Sequence, residues 1–264
     1  MDDMHDFDLG PLTWVKAEID NALATAKRQL TNWNGSDLAT IKTAATHLHQ
    51  VFGALQIVDL QGVSQVCEAC EGLLVAMDRD PALRNQASAQ VALQAIDALQ
   101  GYLDRLMAGG PHAELALSSI YQALLTQQGE APPAPSDLFY PDLDVRASRL
   151  SPEPGLDDTH RNAVLRRSRS QYQKGLVQWL TQRDADAGLA QMQEALRNVE
   201  DIAPGTAQYT FWWAANGLLE SLAQGSISSD IWLKRLLGRI DLQLKRLQSG
   251  SRSLAERVLR DVLF

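Results

Sequence analysis

Two cysteines in 264 residues leave no basis for a disulfide framework. Aromatic residues make up only 6 % of the chain. No apolar run reaches the roughly 18 residues that cross a bilayer. The opening Met1-Asp2-Asp3-Met4-His5-Asp6 is acidic where a secretory leader is basic, and no apolar core follows it. The chain is therefore expected to be soluble and cytosolic. Strand signals are missing: there are no period-two runs of β-branched residues bounded by turns. Phosphate-cradling Gly-x-x-x-x-Gly-Lys, zinc-binding His-Glu-x-x-His and nucleophilic Gly-x-Ser-x-Gly are missing too, which predicts no catalytic site in this chain. A net charge of −8 and a pI near 5.1 argue against a protein that coats nucleic acid.

What is present is a globular composition, 45 % hydrophobic and 21 % charged, long enough for two domains. The charge is unevenly placed. Residues 1–128 hold 7 Lys+Arg against 15 Asp+Glu, residues 129–160 hold 2 against 7, and residues 161–264 hold 15 against 10. The acidic middle segment contains six of the ten prolines, so it reads as an extended linker. Its Leu138-Phe139-Tyr140 is too apolar for a free tether and is expected to dock on a flanking domain.

Both flanking segments read as helix. In the first, Pro11 opens a helix with Leu12, Val15, Ile19, Leu23, Ala26 and Leu30 on one stripe. Ser36 or Asp37 caps a second that turns Leu38, Ile41, Ala45, Leu48, Val51 and Leu55 inward. A third follows Gly62, a fourth follows Asp80-Pro81, and a shorter one spans Ala113 to Leu125. The second segment repeats the plan, with helices near Ala163–Leu180, Ala187–Val199, Ala207–Leu222 and Ile231–Leu247. The halves share a string, Glu71-Gly72-Leu73-Leu74 against Asn216-Gly217-Leu218-Leu219, which indicates a divergent internal duplication. The expected architecture is all-α. Two antiparallel four-helix bundles cover 1–128 and 161–250, joined by the 129–160 linker. Residues 251–264 begin a further helix, Leu254 to Phe264, so the chain is expected to be the front of something longer. Phe211, Trp212, Trp213 and Trp232 are bulky enough for core anchors, the alternative being a ligand or partner site.

Cys67 and Cys70 form one Cys-x-x-Cys inside the third helix. Zinc would need a second pair of ligands and a redox pair a strand-to-helix junction, so these read as structural thiols with no metal and no cofactor. The second helix carries the more informative pattern. Opposite its buried stripe lie Lys42, Thr46, His49, Gly53 and Gln56 at i, i+4, i+7, i+11 and i+14. His49 is thus on the solvent side, one turn before a glycine that costs ~1 kcal/mol relative to alanine within a helix. An exposed imidazole with room for an in-line partner is what a phosphoryl acceptor needs, the alternative being a solvated surface histidine.

His49-Gln50-Val51-Phe52-Gly53 resembles the His-x-x-Lys-Gly of histidine phosphotransfer (HPt) domains, with phenylalanine at the lysine position. Lys42, about two turns earlier, could partly substitute for it. Leu9-Gly10-Pro11-Leu12-Thr13-Trp14-Val15-Lys16-Ala17-Glu18-Ile19 is similar to the opening of the chemotaxis-type hybrid kinases of type IV pilus systems (ChpA/PilL-like). So are the stretches from His47 to Val58, Leu138 to Leu143 and Leu236 to Asp241. The same region is shared with the pilus regulator FimL, whose HPt-like domains are degenerate.

The resemblance implies tandem HPt-like bundles and cytoplasmic, pole-associated signalling that controls twitching motility. It also implies partners among response-regulator receivers or polar scaffold proteins, with no nucleic acid and no membrane span. In the second bundle Glu200 or a neighbour stands where the histidine would be. No histidine follows His160; Arg161, Arg166, Arg167, Arg169 and Lys174 could instead meet an acidic receiver or the acidic first unit, the alternative being a solvated basic helix face. Two functions remain open, a docking scaffold and a true phosphorelay carrier with His49 as acceptor. A third, a helical ligand sensor, needs an apolar pocket at Trp212 and Trp213.

Overall fold

The computed structural model describes residues 9–143, 146–148, 155 and 157–264. The acidic start and linker residues Pro152 and Pro154 lie outside them. The described residues form ten α-helices and one 3-10 turn, and they divide into two compact units at Tyr140/Pro141.

In the first unit α1 spans Leu9–Thr31, α2 Leu38–Ile57, α3 Gln61–Arg79, α4 Gln86–Met107 and α5 Ser118–Gln127, after a 3-10 turn over Glu114–Leu117. Pro11 sits in the first turn of α1 rather than at its start, a place where no intrahelical N–H is required of it. Asp37 caps α2 by accepting from the Ala39 amide at 2.9 Å, and Asn85 caps α4 through Ser88 at 3.0 Å. α1 packs on α2, α2 on α3, α3 on α4 and α4 back on α1, while α5 lies against α3 and α4. Leu12, Leu23, Leu48, Leu73 and Ile96 fill the centre with essentially no exposure.

α3 has no side-chain cap of its own. The carboxylate of buried Glu114, from the 3-10 turn, accepts from the Gly62 and Val63 amides at 2.9 and 3.2 Å. Gly62 is required there, because a Cβ would meet the Glu114 carboxylate at 2.7 Å. The segment after α5 docks on this unit: Leu138 is buried, and the Tyr140 hydroxyl donates to Gln65 Oε1 at 2.7 Å.

The second unit holds α6 Asp158–Leu180, α7 Ala185–Asp201, α8 Gly205–Ala223, α9 Ile231–Gln248 and α10 Glu256–Leu263. α6 starts five residues before the expected Ala163 because Asp157 caps it, accepting from the His160 amide at 2.8 Å. α6 packs on α7 and α9, α7 on α8, and α10 on α8 and α9. The short helix of each unit therefore meets the third and fourth long ones. At the α6–α7 contact the two backbones nearly touch: a Cβ on Gly188 would lie 2.7 Å from the Gly175 carbonyl oxygen.

The aromatic cluster is divided. Phe211 and Trp212 are core, packed edge to face at 4.7 Å, with the Trp212 indole donating to Gln208 at 3.2 Å. Trp213 is not an anchor: it is 53 % exposed. Trp232 is only half-buried and lies beneath the Arg235 guanidinium, 5.0 Å from its ring centroid.

Candidate functional site

Lys42, Thr46, His49, Gly53 and Gln56 form one exposed stripe along α2, because Ile41, Leu48, Val51 and Leu55 hold the opposite side in the core. His49 is 70 % exposed, and its Nδ1 lies 3.1 and 3.2 Å from the two carboxylate oxygens of Glu71 on α3. A carboxylate only accepts, so Nδ1 carries the proton and the neutral ring keeps its lone pair on Nε2. Glu71 thereby orients the imidazole and would stabilise a positive ring.

Gly53 has open space where a side chain would stand, with nothing within 4 Å of a Cβ. The Phe52 ring is 6.2 Å from the imidazole, so that position contributes an apolar wall and no charge. Lys42 Nζ reaches Asp78 Oδ2 at 3.6 Å, which ties it to α3 rather than to His49. Thr46 bonds back to the Lys42 carbonyl at 2.9 Å. Glu71 and Asp78 were not among the residues singled out as a site. The available signal was Glu71's place at the head of the repeated string.

In the second unit Asn216 heads the matching string, and its amide donates to Glu200 at the end of α7, six residues nearer along the chain than His49 is to Glu71. No histidine follows His160, so this unit has no imidazole beside that pair. Trp213, Gly217 and Leu218 of α8 border an open groove of about 770 Å³ that Val262 and Phe264 also line. It is bordered by Trp213 alone of the tryptophan pair, since Trp212 fills its own space.

Cys67 and Cys70 are fully buried and face backbone carbonyls, Leu48 at 3.4 Å and Ala92 at 3.7 Å. Burial, with Cys70 and Glu71 adding to it, pushes the Cys67 thiol well above its ordinary range. Burial and then Glu71 push Cys70 up to about 12. Among the described residues no cluster of three His, Cys, Asp or Glu could hold a metal ion, and no helix is long and apolar enough to cross a membrane.

The basic residues of α6 do not act together. Arg166, Arg167 and Lys174 are exposed, but Arg169 turns onto α9, where its guanidinium bonds both oxygens of Asp241 at 3.0 and 3.1 Å. Arg161 lies 3.4 Å from Asp158.

Residues 157–264 match the family model of the FimL scaffold protein second domain. The match spans α6 to α10, the unit without a histidine after His160, and leaves the His49 unit outside it. No curated protein and no solved structure matches the chain.

Proposed function

We propose that the chain is a docking scaffold of a type IV pilus chemosensory pathway. It holds response-regulator receivers or polar scaffold proteins through two HPt-like four-helix bundles, works in the cytoplasm at the cell pole, and catalyses no reaction of its own. The observation that carries this reading is the match of the second unit to a domain of a scaffold protein. The second unit has no histidine after His160, which supports it, since that unit offers a helical surface without the chemistry. Affinity capture with the full chain from an extract of the source cells tests it. Recovery of receivers or pilus-regulatory proteins is the expected result. Their absence from repeated captures at low salt ends the pathway assignment.

The His49–Glu71 pair favours a second reading, phosphoryl transfer through the first unit. In that step the Nε2 lone pair bonds to the phosphorus of a phosphoryl donor as the donor's P–O or P–N bond breaks. The Nδ1 proton stays on the ring, and Glu71 offsets the positive charge. Incubation with a cognate kinase domain and labelled ATP separates the readings. Acid-labile label that disappears in His49→Gln supports transfer; an unlabelled wild-type chain removes it and leaves the scaffold.

A further inference from the structure

The seam between α6 and α9 carries charge that the fold does not use. The two helices run antiparallel, as shown by the Tyr172 hydroxyl on the Leu237 carbonyl at 2.9 Å and by Arg169 on Asp241. Gln173 also donates to Asp241, at 3.2 Å. Residues 162, 166, 169 and 173 of α6 therefore face residues 234, 238, 241 and 245 of α9. Antiparallel order sets Arg166 beside Lys245 at one end of this stripe and Lys234 at the other, with Arg167, Lys174, Arg235 and Arg246 one position off it toward the outer faces of the two helices. All of these cations are exposed, and none has an ion-pair partner among the described residues. Asp241, the carboxylate in the middle of the seam, is already held by Arg169 and Gln173.

The corresponding seam of the first unit is built the other way. There α1 and α4 are bridged by Lys16–Asp104 at 2.7 Å and Lys27–Asp97 at 2.5 Å, so its cations are neutralised within the unit. Uncompensated like charge on two packed helices is mutually repulsive, and the fold gains nothing from it.

Gly238 is the second observation. It lies mid-helix on the seam stripe between the two basic clusters, where glycine costs ~1 kcal/mol relative to alanine. No atom lies within 4 Å of where its Cβ would be, so no internal packing requires it. Gly175 and Gly188 in the same unit each have a backbone neighbour that excludes a side chain, and Gly238 has none. A missing side chain at the centre of the seam admits the close approach of another backbone. A bilayer surface or a track of phosphates gains nothing from such a gap. The seam also exposes Leu242 and Val177, at 54 % and 59 %, and the nearby Trp232 ring is half-buried and covered by Arg235 rather than open for stacking bases.

We infer that the α6/α9 seam is a docking groove for an acidic helix of a partner protein. That helix crosses over Gly238, with carboxylates about three turns apart, some 16 Å at 1.5 Å per residue, to meet the two clusters. The inference rests on the scaffold reading only in taking the occupant to be a protein.

The probe is a synthetic capped helical peptide with glutamates at both ends of one face, eleven residues apart, and alanine and leucine between them. Its binding to the full chain is measured by calorimetry, with the Gly238 and Lys245 amides followed by NMR. Expected are binding whose Kd weakens about tenfold between 50 and 300 mM salt, at least tenfold weakening in Lys234→Glu/Lys245→Glu, and loss of binding in Gly238→Gln. The circular dichroism and urea midpoint of Gly238→Gln must not fall below wild type, since its side chain meets open space. Binding unaffected by both variants overturns the inference. So does no binding of the peptide, or tighter binding of duplex DNA or phosphatidylserine vesicles run alongside. Capture of pilus-regulatory partners by a chain that ignores the peptide removes the groove and keeps the scaffold. Peptide binding without such partners does the reverse.

Discussion

Gly188→Ala is the sharpest test of how the second unit is packed. The added Cβ would sit 2.7 Å from the Gly175 carbonyl oxygen, 2.9 Å from the Trp179 amide nitrogen and 3.1 Å from Gln178 Cβ. Two of these neighbours are backbone, so no rotamer change relieves the contact, and α6 and α7 must separate by roughly half an ångström. Overpacking of this kind costs about 1–3 kcal/mol, and the better helix propensity of alanine returns at most ~1 kcal/mol. A net loss of about 1–2 kcal/mol is expected. With a urea dependence of about 1–3 kcal/mol per molar, the unfolding midpoint falls by roughly 0.3–2 M. Tryptophan fluorescence follows this unit well, because Trp179, Trp212, Trp213 and Trp232 lie in it and only Trp14 and Trp33 lie outside. Gly217→Ala on α8 is the matched control: its Cβ meets nothing within 4 Å, so the same substitution should stabilise by about 0.5–1 kcal/mol. A midpoint that rises in Gly188→Ala, or moves equally in both variants, refutes the close approach of the two helices.

Glu114→Ala should cost about 1–3 kcal/mol and speed hydrogen exchange at Gly62 and Val63, because a buried helix start loses its acceptor. Glu114→Gln, which keeps an accepting oxygen, should cost less. Cys67 and Cys70 should resist Ellman's reagent at pH 8 in the native chain and react only as urea unfolds it; fast native labelling would contradict their burial and raised pKa. At the start of α6, the hydrogen bond and charge of Asp157 raise the His160 pKa above 6.5, so this contact is fully present below pH 6.5 and is lost as pH rises through the raised value. The hydrogen bonds from His160 lower the Asp157 pKa below 3.8, and its contribution is lost as pH falls through that lower value. The protection factor of the His160 amide, which removes the intrinsic pH dependence of exchange, should therefore be highest between pH 3.8 and 6.5, and a flat profile would count against the pair.

Periodicity made the helices legible, because Leu48, Val51 and Leu55 can share a buried stripe only if α2 is helical. The same logic put Lys42, Thr46, His49, Gly53 and Gln56 on one exposed face. It could not find Glu114 as the cap of α3, since the two are fifty residues apart and no local signal links them. Nor could it separate a glycine that permits a helix crossing, such as Gly188, from one that faces open space, such as Gly238; both are single glycines in helical windows. Counting charge by segment found the surplus of the second unit but assigned it to α6. Half of the exposed surface lies on α9, whose apolar residues dominated its reading, and Arg169 was included although Asp241 holds it. A partner across a helix pair is set by tertiary packing, so sequence spacing along one helix cannot reveal it.

The two units differ in what two of their edges carry. The first keeps His49 and Glu71 on its α2/α3 edge and neutralises its α1/α4 seam with Lys16–Asp104 and Lys27–Asp97. The second has no histidine after His160 and, among the described residues, leaves Arg166, Lys234 and Lys245 of its α6/α9 seam without an ion-pair partner. Each edge is costly to the unit that holds it, through a mid-helix glycine whose Cβ would meet no neighbour, Gly53 or Gly238, and in the second through repulsion as well. A chain that used a single surface would have no reason to keep both costs. Substitutions on the two edges should therefore act independently: Lys234→Glu/Lys245→Glu should remove acidic partners while leaving any labelling of His49 intact, and His49→Gln should do the opposite. A charge-reversed seam that also abolished His49 labelling would mean that one partner needs both edges, and the division of labour argued here would fail.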